Sequence, residues 1–479
     1  MKNPVNRENP VNPVPDLSSR LRRDLGTLES YATVIGILIG AGIFQVTSRA
    51  WALTGPSVIL GYLLLTPAIL ATSIPYAAYL STPLGREPGG EYLHISRTLK
   101  GSRLAYVGAW LKIISYIGAG AYLADAMAGY VIALSGNSIN AQRFQLPLAL
   151  AALVIFYLIH VTGIRWFGRF QVLMSALKCL ALLVLIVPGL FVLHSSNYVP
   201  FFTHGTGGFG ASLLPLFFAY AGFESIAQTA GEVKDSTKRL PGILLKGITI
   251  TALFYVFTSI VSFGVLPGGR LQASRAPMAE VASIYLPAFA AVFVTVGAIA
   301  AIMTALNGTI FVPSRLAIMF VEDGLAPRWL GFINRVTATP IRGLTLTLIG
   351  SALLLISGQL ALALNVAVFA LVVLYFIHSL VFLFLPRLNP SLASEIDINL
   401  PRRVQQVAAI VSVLAMGLMI LIQLRQDTAV LSTQTLSQRI SSKSLTSIEL
   451  IVGWGIVGAG LYQLARMQRG SSKVDVHGD

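Results

Sequence analysis

The sequence predicts an all-α polytopic membrane protein with about twelve transmembrane helices, and three observations lead there. Only 11% of the 479 residues are charged and the mean hydropathy is +0.75, whereas a soluble domain carries roughly 25% charged residues. Apolar runs recur from Ser30 to Gln463, each close to the roughly 20 residues that cross a hydrocarbon core. Positive charge is spread along the chain rather than clustered. With the amino terminus inside, the inner loops and tails hold about 25 Lys and Arg and the outer loops about 7. That asymmetry points to an even number of spans with both termini cytoplasmic; the membrane expected is the plasma (inner) membrane. It also accounts for the net charge of +15 without a nucleic-acid partner.

Residues 1–26 are polar and rich in Asn and Pro, and read as a disordered cytoplasmic tail. The first apolar run begins only after Asp24, so it reads as a true span and not a signal peptide. Hydropathy and helix breakers place the spans near 28–53, 56–82, 102–134, 145–163, 167–193, 210–231, 242–266, 286–316, 341–358, 360–386, 403–425 and 447–466. A polar tail, 468–479, follows. Between spans, residues 89–100 read as a short amphipathic helix on the inner face, with His94 solvated. Residues 323–335 read similarly, with Trp329 and Phe332 as interfacial anchors, and residues 277–287 as a helix over the outer vestibule. Cys179, the single cysteine, lies in an apolar run, so no intrachain disulfide forms.

The first span contains IGILIGAGIF, Ile35 to Phe44, with glycines at 36, 40 and 42. Glycine weakens a helix interior, and a helix broken in lipid leaves backbone groups unpaired at several kcal/mol each. A break at Gly40-Ala41-Gly42 therefore suggests a polar ligand. The inner half would present the carbonyls of Leu38 and Ile39, and the outer half the amides of Ala41, Gly42 and Ile43. One end attracts an ammonium, the other a carboxylate, which suits a zwitterion. The competing reading is close packing through small residues, since Gly36 and Gly40 have G-x-x-x-G spacing.

In the sixth span Ala221-Gly222 interrupts LPLFFAYAGFES, beside Phe218 and Ala219, and Glu224 lies within the apolar run. An intramembrane carboxylate costs at least ~2.5 kcal/mol in lipid and so faces the interior. Paired interruptions in two halves of a chain point to a substrate site at the midplane. In the fifth span Lys178 is too deep to snorkel. A lysine removed from water can release and regain a proton, or it can serve as a structural ammonium on backbone carbonyls of the first span. Lys112 is close enough to the inner end to snorkel, and Asp125 belongs to the outer vestibule.

These segments resemble the amino acid–polyamine–organocation superfamily of secondary transporters over nearly the whole chain. GILIGAGIF is similar to its first-span signature, and FFAYAGFES with GEVKDSTKRLP to its sixth span and following loop. RFQVLMSALK resembles its fifth span, and ALNGTIFVPSRLAIMFVEDGLAP its eighth. The resemblance implies a leucine-transporter-like fold: two inverted five-helix repeats, 27–200 and 201–390, with spans one and six broken, then two helices within 391–467. It also implies that Phe218 gates the site, that Lys178 replaces a sodium ion while facing Gly40 and Thr309, and that Glu224 handles substrate or proton. Ala41 stands where many relatives carry serine, and Pro313 where some carry a hydroxyl. The third span is apolar near Ile117 and Gly118, where guanidinium-binding relatives offer an amide.

The function these readings imply is alternating-access transport of a neutral amino acid, by proton symport or by exchange. The alternative is a cationic amino acid or polyamine antiporter with Glu224 as the cation's partner. No H-E-x-x-H, G-x-S-x-G or Cys/His cluster is present, so no metal or cofactor is expected and an embedded enzyme is disfavoured. A non-transporting receptor would bind ligand without flux.

Overall fold

The computed structural model describes residues 18–134, 143–274, 276–441 and 445–474. Of the tails expected at 1–26 and 468–479, residues 1–17 and 475–479 fall outside them, as do Arg275 and Lys443. Residues 18–26, expected to be disordered, are ordered, with a 3-10 turn at Ser18–Arg20 and Leu25 paired with Val233. Among the described residues the chain is helical with no strand beyond one isolated bridge, Leu25 to Val233. Ten helical segments among the described residues are long and apolar enough to cross a membrane, and two shorter apolar helices accompany them.

The first span is split. Helix α1 (Thr27–Leu38) starts where the Glu29 carboxylate accepts the Gly26 N–H at 2.9 Å, and it stops at Leu38. A π-helical turn (Gly42–Val46) and α2 (Thr47–Thr54) follow. Next come α3 (Val58–Ser81), the short α4 (Glu91–Leu99), α5 (Arg103–Leu134), α6 (Gln145–Val161) and α7 (Ile164–Gly189). The sixth span comprises α8 (Gly205–Tyr220) and, past its break, a 3-10 turn (Phe223–Ala227). The remainder is α9 (Ser236–Val265), α10 (Gly268–Ala273), α11 (Pro277–Tyr285), α12 (Ala288–Glu322), α13 (Ile341–Ile356), α14 (Leu360–Leu388), α15 (Pro390–Ser394), α16 (Arg402–Thr433), α17 (Leu436–Ser441) and α18 (Ser447–Val474).

Helix α5 is central and packs against α12 and α14. Its run of small buried residues (Gly108, Ala109, Gly118, Gly120, Ala121, Ala124, Ala128) lets neighbouring backbones approach. A Cβ on Gly118 would sit 2.6 Å from the Ala363 carbonyl oxygen. Helix α18 docks on α5 through aromatic contacts, Tyr106 with Tyr462 and Trp110 with Trp454. Trp110 and Trp454 stack at 4.4 Å, and each indole N–H donates to the other's backbone carbonyl.

Several loop and boundary expectations change. Residues 323–335 form a 3-10 turn (Arg328–Gly331) instead of an amphipathic helix, though Trp329 and Phe332 are exposed. The predicted outer helix is α11. Helix α18 runs to Val474, past the predicted start of the tail. His94 is not solvated: α4 folds inward, and the imidazole is buried at 3.0 Å from His378, stacked on Tyr79. The sequence pattern of α4 is amphipathic, but burial of seven of its residues between α5 and α14 puts both faces against protein.

Candidate functional site

The two breaks face each other across a cavity lined by α1 and its break, α5, α8 and its break, α12 and α14. In the first break Ile39 leaves helical geometry and the Gly40 N–H turns back to the Leu38 carbonyl at 2.9 Å. In the second, Gly222 adopts φ +105°, a left-handed conformation that favours glycine. The Gly222 N–H, stranded by the break, is accepted by the Glu224 carboxylate at 3.0 Å. One hydroxyl joins the two breaks: the single Tyr255 proton is shared between the carbonyls of Leu38 and Ala219, each 2.5 Å from the hydroxyl oxygen. The glycines also serve packing, as the competing reading held. A Cβ on Gly40 would meet Ala305 at 2.5 Å, and one on Gly42 would meet Ala219 at 2.6 Å. Break and close approach occur together.

Of the residues singled out from sequence, Leu38, Gly40, Ala41, Gly42, Phe218, Ala221, Gly222 and Thr309 line the cavity. The lining does not include Ile39, Ile43, Ala219, Glu224 or Lys178. Phe218 is buried with its ring edge-on to Tyr122 at 5.5 Å. Sequence reasoning missed Ile37, Ser115, Tyr116, Ala119, Leu123, Ala305 and Leu371. None has an unusual residue type for a membrane helix, and only the Ala/Gly-rich stretch of α5 hinted at a close approach.

Lys178 lies behind the first break and caps it. Its ammonium shares three protons among four acceptors, the carbonyls of Ile35 (3.1 Å), Gly36 (2.9 Å) and Ile39 (2.8 Å) and the Thr304 hydroxyl oxygen (2.8 Å). These carbonyls belong to the end of α1, where helix groups lack partners and the dipole favours a cation. Two details correct the expectation. The carbonyl engaged is that of Ile39, not Gly40. The hydroxyl is that of Thr304, because Thr309 lies five residues further along α12, which turns it about 140° away. Thr309 instead donates to the Ala305 carbonyl at 2.8 Å.

A second buried cluster lies beside the cavity. Lys112, expected to snorkel, is fully buried. Its ammonium donates to both Glu91 oxygens (2.8 and 2.9 Å) and to Gln228 at 2.9 Å, and lies 3.4 Å from Glu224. The inward fold of α4 brings Glu91 over Lys112 and so removes any need to reach water. Glu224 accepts hydroxyl hydrogen bonds from Tyr116 (2.7 Å) and Tyr375 besides the Gly222 N–H. A third buried pair, Arg315 with Glu232 at 3.0 Å, ties α12 to the segment after the sixth span. Burial pushes the Glu232 carboxyl up from its ordinary range, partly offset by the Arg315 charge and hydrogen bond. Asp125 is half-buried and accepts from Gln145 at 2.9 Å. No group of three or more metal-ligating side chains occurs among the described residues.

The comparisons with known proteins bear on what moves through such a cavity. The amino acid permease family profile matches residues 25–457. The chain belongs to the amino acid permease family. Within that superfamily of transporters, the permease is 27% identical to a methylthioribose transporter of Bacillus subtilis, over 69% of this chain and 74% of the relative. It is 26% identical to the branched-chain amino acid permease BcaP of the same organism, over 67% of this chain and 71% of the relative. It is also 26% identical to a D-serine/D-alanine/glycine transporter of Escherichia coli, over 73% and 74%. The permease is thus a multi-pass membrane transporter and not an enzyme.

Proposed function

We propose that the permease moves an uncharged amino acid across the plasma membrane by alternating access, with both termini cytoplasmic. On this reading spans one to five and six to ten are inverted repeats, followed by two further helices. One observation carries it: two backbone breaks, one in each half, face a common cavity and are bridged by a single tyrosine hydroxyl, Tyr255. Broken helices at corresponding places in two repeats form substrate sites in transporters of this architecture.

The substrate carboxylate meets the amides of Ala41 and Gly42, the two of the three expected amide residues that line the cavity, at the positive start of the outer half-helix. The Leu38 and Ile39 carbonyls already accept from Gly40, Tyr255 and Lys178. The substrate ammonium is therefore assigned to Ile37, another cavity residue in the last turn of α1. Phe218 closes over the substrate from the outer side. Lys178 carries the coupling proton: its partners are three carbonyls and a hydroxyl, all neutral, so losing the proton leaves no buried anion unpaired.

A cationic substrate is the second reading, because a chloroplastic relative of Arabidopsis thaliana, 28% identical, is named a cationic amino acid transporter. The test uses purified full-length protein in liposomes with labelled amino acids. Accumulation driven by an inward proton gradient supports symport, and uptake that requires internal amino acid supports exchange. Saturable binding with no flux in either format would overturn transport in favour of a receptor.

A further inference from the structure

Three hydroxyls line the cavity, and each is committed elsewhere. Ser115 donates to the Ala367 carbonyl at 2.7 Å, Thr309 to the Ala305 carbonyl at 2.8 Å, and Tyr116 to Glu224 at 2.7 Å. The wall supplied by α5, α12 and α14 is otherwise Ala119, Leu123, Ala305 and Leu371. No Asp, Glu, Lys or Arg is among the lining residues. A substrate side chain directed at this wall meets methyl groups and spent donors.

The nearest carboxylate, Glu224, is closed to a ligand in two ways. It already accepts from Tyr116, Tyr375 and the Gly222 N–H. It also faces a resident cation, the Lys112 ammonium, at 3.4 Å. Lys112 is in turn held on both oxygens of Glu91 and on Gln228. A cationic side chain reaching for Glu224 would break the Tyr116 bond and stand beside a buried like charge in a low dielectric, where repulsion is strongest. An anionic side chain would find no donor at all, and a buried unpaired charge is heavily penalised.

We infer that the cavity selects an uncharged aliphatic side chain, from alanine to leucine in size, and that Lys112 is a positioning residue that denies Glu224 to cationic substrates. The inference rests on the transport reading above and names the substrate class of that same site. Ala119 on α5 and Leu371 on α14 belong to the apolar wall, so the bulk of their side chains sets the size limit. A hydrophobic pocket distinguishes substrates by roughly 10–200-fold per methylene, so the selectivity should be graded among aliphatics and steep against charge.

The experiment is a competition panel on the wild-type protein in liposomes, with labelled leucine and labelled arginine as parallel reporters. Alanine, valine, isoleucine and leucine should compete, and arginine, lysine, glutamate and phenylalanine should be at least tenfold weaker. Arginine, glutamate or phenylalanine matching leucine would overturn the inference while leaving transport intact. No flux of any amino acid would overturn the transport reading itself, a distinct outcome. Ala119→Leu should shift preference from leucine toward alanine by about tenfold, and an unchanged ratio would overturn the placement of the side-chain wall. Lys112→Met combined with Glu91→Gln leaves one buried carboxylate and should raise the arginine-to-leucine competition ratio. A folded double variant with the wild-type ratio would overturn the role of Lys112.

Discussion

Two lysines are buried among the described residues of this permease, Lys112 and Lys178, and their surroundings are opposites. Lys112 is held by carboxylates: both oxygens of Glu91, with Glu224 close by. Lys178 is held by the carbonyl end of a broken helix and one threonine hydroxyl, and it forms no ion pair among the described residues. A charge paired inside protein leaves an uncompensated partner when removed, which is expensive. A charge held by dipoles does not. The difference teaches that burial alone does not mark a lysine for proton exchange; the charge of its partners decides. On this comparison Lys112 is fixed in place and Lys178 is the one free to change charge.

The comparison breaks most visibly in stability. Lys112→Ala should destabilise the protein by about 3–5 kcal/mol, read as a fall in thermal unfolding temperature in detergent, with Lys178→Ala clearly milder. Equal losses would mean that the two sites are alike. In transport the order reverses. Lys178→Ala should flatten the pH dependence of uptake and lower proton-driven accumulation by about tenfold or more, the ~1.4 kcal/mol of one such step. Normal activity with an unchanged pH response would remove Lys178 from coupling.

A smaller effect sharpens the Lys112 side. Burial holds the His94 imidazole well below its ordinary value, with His378 and Lys112 adding in the same direction. Native His94 therefore stays neutral while the unfolded chain takes up a proton below about pH 6.5. Stability should fall as pH drops through that value, by up to ~1.4 kcal/mol per unit for this one group, and His94→Phe should lessen the slope measured by unfolding between pH 7 and pH 5. The smallest effect tests the Lys178 shell. Thr304→Val removes one of four partners and should cost about 1 kcal/mol, whereas Thr309→Val should leave the Lys178 shell and its stability contribution unchanged. Thermal shifts of the pair would show which threonine the lysine uses.

Much of this was legible in the chain. Most span boundaries emerged within a few residues because each span is a local run of apolar side chains, although α12, α16 and α18 run well past their expected ends, and the breaks emerged because glycine and alanine pairs interrupt those runs. Of the two readings of Lys178, the structural ammonium on carbonyls of the first span matches its contacts. The Thr304 partner was not legible. Position 178 meets position 304 through packing of α7 on α12, and the rotation of one helix about its axis is not written in hydropathy.

The sequence by itself determined that the chain is a polytopic helical membrane protein, that spans one and six are interrupted, and that Lys178 and Glu224 lie inside. Those properties follow from the composition of contiguous segments and the cost of polar groups in lipid. Only the tertiary structure decided which groups meet. It placed α4 inward, so that Glu91 reached Lys112 and His94 reached His378, and it sealed Glu224 behind Tyr116 and Tyr375. Contacts between residues a hundred or more positions apart depend on how helices rotate and settle against one another, and that is fixed by packing of the whole bundle.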